Sequence, residues 1–183
     1  MKNLLVTLFV FFALTITQAF AYKVEDFSNE TRIIAAMKLL EQTGEVDVFQ
    51  NLKKNAVKVK FYNIAGYGSS VYAANTYDNY GRRVILINSV YKDAPIEQLA
   101  CLIAHESCHV LRKATLEEET VATQKEAACW AKLKINSKAY PETKLTKRLD
   151  KVAGLYLASA EDGNNYIQDK IASSSFYKAQ FGI

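Results

Sequence analysis

The sequence predicts an α+β fold in which a small sheet packs on several helices. Between residues 57 and 87 the apolar positions recur with the two-residue period of β-strands, whereas before and after this stretch they recur with the spacing of amphipathic helices. The chain has 183 residues, and it contains no internal repeat and no linker rich in proline, glycine or serine. These observations favour one domain of ordinary size.

Three segments carry the strand pattern. Residues 57–61 alternate between apolar and polar side chains, residues 71–77 are rich in β-forming types, and residues 84–87 form a continuous apolar run. The sequence Asp-Asn-Tyr-Gly at 78–81 is typical of a turn between the last two strands. We therefore expect a three-stranded antiparallel meander.

Helical spacing surrounds these strands. The pattern predicts a helix over residues 28–42 that breaks at Gly44, followed by a short helix through residues 48–52. Later, Asp93 and Pro95 precede a helix that we expect to run to about Arg112. Further helical spacing follows, at Leu145, Leu149, Val152 and Tyr156.

The N-terminal segment has the features of a secretory signal. Lys2 is followed by a mostly apolar run over residues 4–16 and by Ala19-Phe20-Ala21, which predicts cleavage after Ala21. The alternative, an uncleaved anchor, is less favoured because a span needs about 20 apolar residues. We expect residues 22–183 to form the mature domain in a secreted or periplasmic setting, without a stable membrane anchor.

The charge of the chain does not point to a polyanionic partner. The formal net charge is +4, and the basic residues are dispersed over the sequence rather than collected in one patch. Binding to nucleic acid or to an anionic membrane would require a concentrated basic surface. Nucleic acid and anionic membranes are therefore disfavoured as partners.

The pentapeptide His105-Glu106-Ser107-Cys108-His109 is an HExxH motif, and it contains the only two histidines of the chain. On a helix this spacing places both imidazoles on one face, one turn apart, where they can share a zinc ion. Glu106 then lies alongside as a general base. The motif predicts a catalytic zinc site.

The faces of the motif helix separate at about 100° per residue. One side carries the residues that we expect in the core, namely Ile96, Leu99, Ala100, Ile103, Val110 and Leu111. His105 and His109 lie roughly opposite, together with Gln98 and Arg112. Because the histidines do not share the apolar stripe, a role as packing residues is disfavoured.

A third zinc ligand has to be a carboxylate or a thiolate, because the chain has no further histidine. Thr115 and Glu118 form the two ends of a capping-box sequence that opens another helix. On this helix Glu119 and Glu126 share one face with apolar residues, and buried carboxylates need a partner such as a metal. We expect Glu119 to be the ligand, with Glu118 and Glu126 as the alternatives.

The preference for Glu119 depends on helix register. If the motif helix and the next one pack antiparallel across their short connection, His109 lies level with Glu119 and His105 with Thr123. Glu126 lies two turns beyond Glu119. We therefore expect Thr123 and Glu126 beside the ligands or in the substrate cleft.

The three cysteines are all in the part of the chain that we expect to be exported. Cys101 and Cys108 lie too far apart along one helix to pair, so either could form a disulfide with Cys129. The register that aligns His109 with Glu119 brings Cys101 near Cys129. It therefore favours a disulfide between these two.

From residue 71 to about residue 133 the chain resembles the gluzincins, a class of zinc metallopeptidases. The resemblance is carried by the HExxH motif and by the segment Glu118-Glu119-Thr120-Val121-Ala122. It implies a zincin-like fold in which residues 71–77 form an edge strand that holds an extended peptide. One position departs, because many gluzincins carry an aspartate where this chain has Thr123, so a hydroxyl or backbone carbonyl has to orient a zinc histidine.

The resulting hypothesis is an exported zinc-dependent endopeptidase with one zinc ion as its cofactor. Glu106 takes a proton from the attacking water and passes it to the leaving amine. A donor for the developing oxyanion is not assigned, and Tyr72, Tyr77, Tyr80 and Tyr140 are all candidates.

Two other functions compete with this hypothesis. The first is a non-catalytic, zinc-stabilised binding domain on a degenerate metallopeptidase scaffold. The second is a small secreted structural protein in which the HExxH sequence arose by chance.

Overall fold

The computed structural model describes residues 22–64, 66, 71–111, 113–135 and 138–182. These residues form seven α-helices and a three-stranded sheet, so the predicted α+β class is confirmed. The predicted signal segment, residues 1–21 with cleavage after Ala21, lies outside the described residues. Within the described part of the chain, no helix combines the length and the apolar character that a membrane crossing requires.

Two helices precede the sheet, as predicted. They are α1 (Thr31–Gln42) and α2 (Val46–Lys54). Gly44 lies between them with φ of 78°, a left-handed conformation that glycine adopts without steric cost. Both helices bury their apolar stripes in the core, which receives Ile33, Ala36, Met37, Leu40, Val48, Phe49 and Leu52.

The three predicted strands form, but their arrangement differs from a meander. They are β1 (Lys58–Tyr62), β2 (Ala73–Tyr77) and β3 (Arg83–Asn88), in the order β1-β3-β2. β1 pairs parallel with β3, and β2 pairs antiparallel with β3. The predicted antiparallel meander is therefore wrong, and the sheet is mixed.

The burial of β3 explains this order. Ile85 and Ile87 belong to the main core, whereas Val84 and Leu86 pack with Ile64 in a smaller cluster. A strand whose two faces are both buried belongs between neighbours. A short turn keeps β2 beside β3, and β1 pairs with the other edge of β3.

Helices α3 (Ile96–Ser107) and α4 (Leu116–Leu133) form the centre of the molecule and pack against each other. Every residue of α3 from 97 to 107 is buried, because α1, α4 and the sheet surround it. The predicted division of α3 into a core side and an open side is therefore too simple. His105 nevertheless faces α4, as the helix arithmetic requires.

α3 ends earlier than predicted. It stops at Ser107, so His109 lies just beyond it in an irregular stretch that we call the 108–111 segment. Val110 and Leu111, which we expected in the core, are 49% and 51% exposed. The predicted end at Arg112 falls on a residue outside the described part of the chain.

Side chains from other elements replace the helical hydrogen bonds of the 108–111 segment. Asn75 of β2 donates from Nδ2 to the carbonyl oxygens of Glu106 and His109, at 2.8 Å and 3.1 Å. Arg83 of β3 donates to the carbonyl oxygens of His109 and Val110, at 2.7 Å and 2.5 Å. These bonds end the helix because they satisfy the backbone in a different conformation.

Three more helices complete the fold: α5 (Lys144–Asp162), α6 (Tyr166–Ser173) and α7 (Ser175–Phe181). α5 packs against α4 and buries Leu145, Leu149 and Val152, as the helical spacing predicted. α6 packs against both α4 and α5. α7 then places Phe176 and Tyr177 along the wall of a cleft.

Candidate metal centre and cleft

Three side chains converge at the C-terminal end of α3. His105 Nε2 lies 3.2 Å from His109 Nε2. The carboxylate oxygens of Glu119, on α4, lie 3.8 Å from His105 Nε2 and 3.7 Å from His109 Nε2. One ligand atom from each residue lies within 4.8 Å of the other two. This largely buried group could hold a metal ion, and it contains the three residues that the register predicted.

A carboxylate lies behind each imidazole. Glu118 Oε2 is 3.3 Å from His109 Nδ1, and Glu126 Oε2 is 3.4 Å from His105 Nδ1. Metal-binding histidines commonly present their second nitrogen to such a group, which fixes the ring orientation. We expected a hydroxyl or a backbone carbonyl to do the orienting, but carboxylates face the two Nδ1 atoms, although the contact between His105 Nδ1 and Glu126 Oε2 is not a hydrogen bond. Thr123 lines a neighbouring cavity.

Glu118 has a second role that its capping-box position did not reveal. Its backbone N–H donates to Thr115 Oγ1 at 3.1 Å, as a capping box requires. Its carboxylate, however, turns to the 108–111 segment, where Oε1 accepts from the N–H groups of Val110 and Leu111 at 2.7 Å and 2.9 Å. Glu117, its neighbour, is exposed, whereas the side chain of Glu118 is only 8% exposed.

Glu106 lies on the cleft wall and is 7% exposed. Burial raises the pKa of Glu106 above its usual value, and the nearby Glu119 and Glu126 raise it further, against the opposing effect of His105 and His109. A carboxyl group with a raised pKa both accepts and releases a proton more readily near neutral pH. The position of Glu106 on the cleft wall, directly after His105, suits a general base.

Glu126 lies behind His105 rather than among the converging ligand atoms. Its side chain is fully buried and forms an ion pair with Arg148 of α5. Burial opposes its ionisation, but Arg148 and His105 lower the pKa of Glu126 to about 2. For His105, burial lowers the pKa, but the negative charges of Glu126 and Glu106 have the larger effect and raise it overall.

Tyr177 is a site residue that the sequence reasoning missed. Its hydroxyl donates to Glu119 Oε2 at 3.1 Å, and burial raises the pKa of Tyr177, so the proton stays on the oxygen. Of the tyrosines considered from the sequence, Tyr72 lines the cleft, whereas Tyr140 packs edge-on against Trp130. No local pattern could have identified Tyr177, because it reaches Glu119 only through the packing of α7.

These residues line a cleft of about 630 Å³. Residues 71–76, which include most of β2, form one wall, and Phe176, Tyr177 and Gln180 of α7 form part of another. β2 pairs only with β3 within the described residues, so it is an edge strand of the sheet. Its position beside the candidate metal centre agrees with the predicted edge strand.

The predicted cysteine pair also meets. Cys101 Sγ and Cys129 Sγ lie 3.3 Å apart, as the antiparallel register of α3 and α4 requires. Both are free thiols in the structure, so the predicted disulfide is a contact here rather than a bond. Burial raises the pKa of Cys101 well above its usual value, which keeps that thiol protonated.

Comparison with known proteins identifies no relative. No protein-family model matches the sequence, and no curated protein and no solved structure is significantly similar to it. The functional argument therefore rests on the residues of the cleft and their geometry.

Proposed function

We propose that the protein is an exported, zinc-dependent endopeptidase of the gluzincin type. One observation carries the proposal: His105 Nε2, His109 Nε2 and the Glu119 carboxylate converge beside Glu106 on the wall of a cleft. A cleft bordered by an edge strand can bind an extended peptide. The signal segment predicted over residues 1–21 supports export.

The residues present fit a zinc ion. Two imidazole nitrogens and one carboxylate form a donor set typical of catalytic zinc, with a fourth position left for water or substrate. Imidazole ligands favour zinc over magnesium or calcium, which prefer oxygen. Glu118, Glu126 and Glu106 add negative charge around the three ligands, and a divalent cation would offset that charge.

The residues of the chain divide the chemistry among them. Bound zinc supplies Lewis acidity toward a water molecule and the scissile carbonyl. Glu106 accepts the proton of the attacking water and delivers it to the leaving amine. Glu118 faces His109 Nδ1 and Glu126 lies 3.4 Å from His105 Nδ1, so both carboxylates can orient the imidazole rings, and the hydroxyl of Tyr177 donates to Glu119.

The substitution Glu106→Gln tests the proposal. We expect the purified protein to contain about one zinc ion per chain by elemental analysis and to cleave a reduced, unfolded protein. Glu106→Gln should keep the zinc but lower the rate of hydrolysis about 10²- to 10⁴-fold, because the amide cannot accept the proton. Glu117→Gln, an exposed glutamate on α4, is the matched control and should retain the parent rate.

Two results would contradict the proposal. A parent protein that binds zinc but cleaves no unfolded substrate would favour the non-catalytic binding domain, in which Tyr177 and α7 simply close over Glu119. A protein that binds no zinc even when the ion is in excess would favour an HExxH sequence that arose by chance.

A further inference from the structure

A second cavity, of about 300 Å³, lies between α5 and α6. We call it the basic cavity, because Arg148, Lys151 and Lys170 all line it. The described residues that line it include no aspartate or glutamate. A cavity with three cations and no lining carboxylate is arranged to receive an anion.

The cations differ in how far their charge is already balanced. Arg148 is paired with Glu126, whereas no ion pair forms between the described carboxylates and either Lys151 or Lys170. Burial lowers the pKa of Lys170, and the adjacent Lys151 and Arg148 lower it further. The repulsion between like charges held this close together decreases when a carboxylate binds between them.

The rest of the basic cavity is mixed: Tyr72, Thr123, Ser174 and Tyr177 contribute hydroxyl groups, and the remaining side chains are aliphatic. Val152, Ile167 and Ile171 are at most 4% exposed and form its aliphatic surface. A ligand that matches both parts has a short aliphatic stem and a negatively charged end. Free inorganic anions match only the charge, whereas glutamate and aspartate side chains match both.

The basic cavity adjoins the cleft. Tyr72, Arg148 and Tyr177 line both cavities, and Arg148 lies with its guanidinium 5.3 Å from the centre of the Tyr72 ring. Arg148 also contacts Glu126, which lies 3.4 Å from His105. A peptide bound in the cleft therefore passes close to the mouth of the basic cavity.

We propose that the basic cavity is a subsite for a carboxylate of the substrate, so that peptides with glutamate or aspartate near the scissile bond are preferred. This inference rests on the proposed peptidase function and adds a substrate class to it. An internal acidic side chain and the free C-terminal carboxylate of a peptide share this chemistry. The aliphatic surface favours the internal side chain.

Matched peptides test the preference. The parent protein is given quenched fluorescent peptides that differ only in Glu or Gln at one position beside the scissile bond, each with a free or an amidated C-terminus. We expect kcat/KM to be about tenfold higher for Glu than for Gln, the size of effect that one charge-assisted hydrogen bond supplies. The preference should persist when the C-terminus is amidated, and its loss on amidation would overturn the assignment to an internal acid.

Substitutions in the basic cavity assign the preference to its lysines. In the double variant Lys151→Met/Lys170→Met we expect the Glu-to-Gln ratio to fall close to one, and because the ratio is internal, partial misfolding does not mimic this result. Lys147→Met is the matched control on the same helix, because the Lys147 side chain is 69% exposed and outside the cavity. A double variant that keeps the full preference would overturn the inference.

A binding measurement separates failure of this inference from failure of the proposed function. Zinc-loaded Glu106→Gln protein is titrated with labelled, uncleaved Glu and Gln peptides, and fluorescence anisotropy gives the two affinities. Cleavage of both peptides at equal rates would overturn the carboxylate subsite and leave the peptidase intact. The opposite pair of results is also possible. If the parent cleaves neither peptide, the peptidase proposal is overturned. If the Glu peptide nevertheless binds about tenfold more tightly than the Gln peptide, and the double variant loses this difference, the subsite is supported.

Discussion

Glu118 connects the candidate metal centre to the backbone that carries it. One oxygen of its carboxylate faces His109 Nδ1, and the other accepts two backbone N–H groups of the 108–111 segment. The same side chain therefore orients a ligand ring and holds the chain segment on which that ring is mounted. Substituting it should affect metal affinity more than its position outside the ligand set suggests.

We expect Glu118→Gln to weaken zinc binding about 10- to 100-fold, because an amide supplies neither the charge nor both acceptor contacts. Zinc titration against a competing chelator measures this change. Glu117→Gln, one residue earlier and exposed, should leave the affinity unaltered. Equal zinc affinity in Glu118→Gln and the parent would show that the carboxylate does not orient His109.

Among individual residues, the sequence identified those whose positions follow from helical period. His105 and His109 are one turn apart, and Glu119 lies on the buried face of α4, so simple register brought the three together. Arg148 and Tyr177 could not be predicted, because they reach the site from helices whose packing has no local signature. The contacts of Glu118 with His109 and the 108–111 segment were not predicted, because a capping box already explains a glutamate at this position.

At the scale of elements, ion pairs connect the start of α2 to α4. Glu45, just before α2, lies 2.6 Å from Lys125 Nζ and 3.0 Å from Lys132 Nζ, both on α4. Burial opposes ionisation of Glu45, but the two lysines outweigh it and lower the pKa of this carboxyl. A lowered pKa in the folded state means that Glu45 stabilises the fold above its usual pKa of 4.5 and loses this contribution as the pH falls below it.

The substitution Glu45→Gln should therefore have an effect that depends on pH. At pH 7 we expect it to lower the free energy of unfolding by about 1 kcal/mol, and the difference from the parent should shrink as the pH falls below 4.5. Urea denaturation at several pH values measures both. Glu142→Gln, whose side chain is 86% exposed, should change little, and a Glu45→Gln effect that grows in acid would contradict this account.

Helices and strands could be predicted where a local sequence pattern determines them. They could not be predicted where contacts with distant residues determine their ends or their order. The helices α1, α2 and α4 and the three strands follow from period and turn residues. The end of α3 depends on Asn75 and Arg83, which lie far from it in sequence, and on the carboxylate of Glu118. The central place of β3 depends on its pairing with both β1 and β2, although its uninterrupted apolar run was a signal that it is buried on both faces.

At the scale of the whole molecule, metal binding should contribute to stability. The ligands come from α3, the 108–111 segment and α4, so one ion joins the centre of the fold. It would also offset the repulsion that Glu119 and Glu126 exert on Glu106, which folding brings close to them. An ion that binds the folded chain and not the unfolded one shifts the unfolding equilibrium toward the folded state.

With free zinc at about 100 times its Kd, we expect the free energy of unfolding to rise by about 2.7 kcal/mol. For a domain of this size that corresponds to an increase in Tm of roughly 5 to 10 °C. Calorimetry with zinc and with a chelator measures the change, and His109→Ala should abolish it while Glu117→Gln preserves it. An equal Tm in both conditions would contradict metal binding to the folded state.

Asn75 gives the edge strand a direct connection to the candidate metal centre. Its side chain bonds the carbonyl oxygens of Glu106 and His109, while its backbone belongs to β2, on which a peptide would pair. Any ordering of β2 by a bound peptide thus also orders the backbone that carries a metal ligand. Because such coupling is reciprocal, the factor by which zinc tightens peptide binding should equal the factor by which peptide tightens zinc binding.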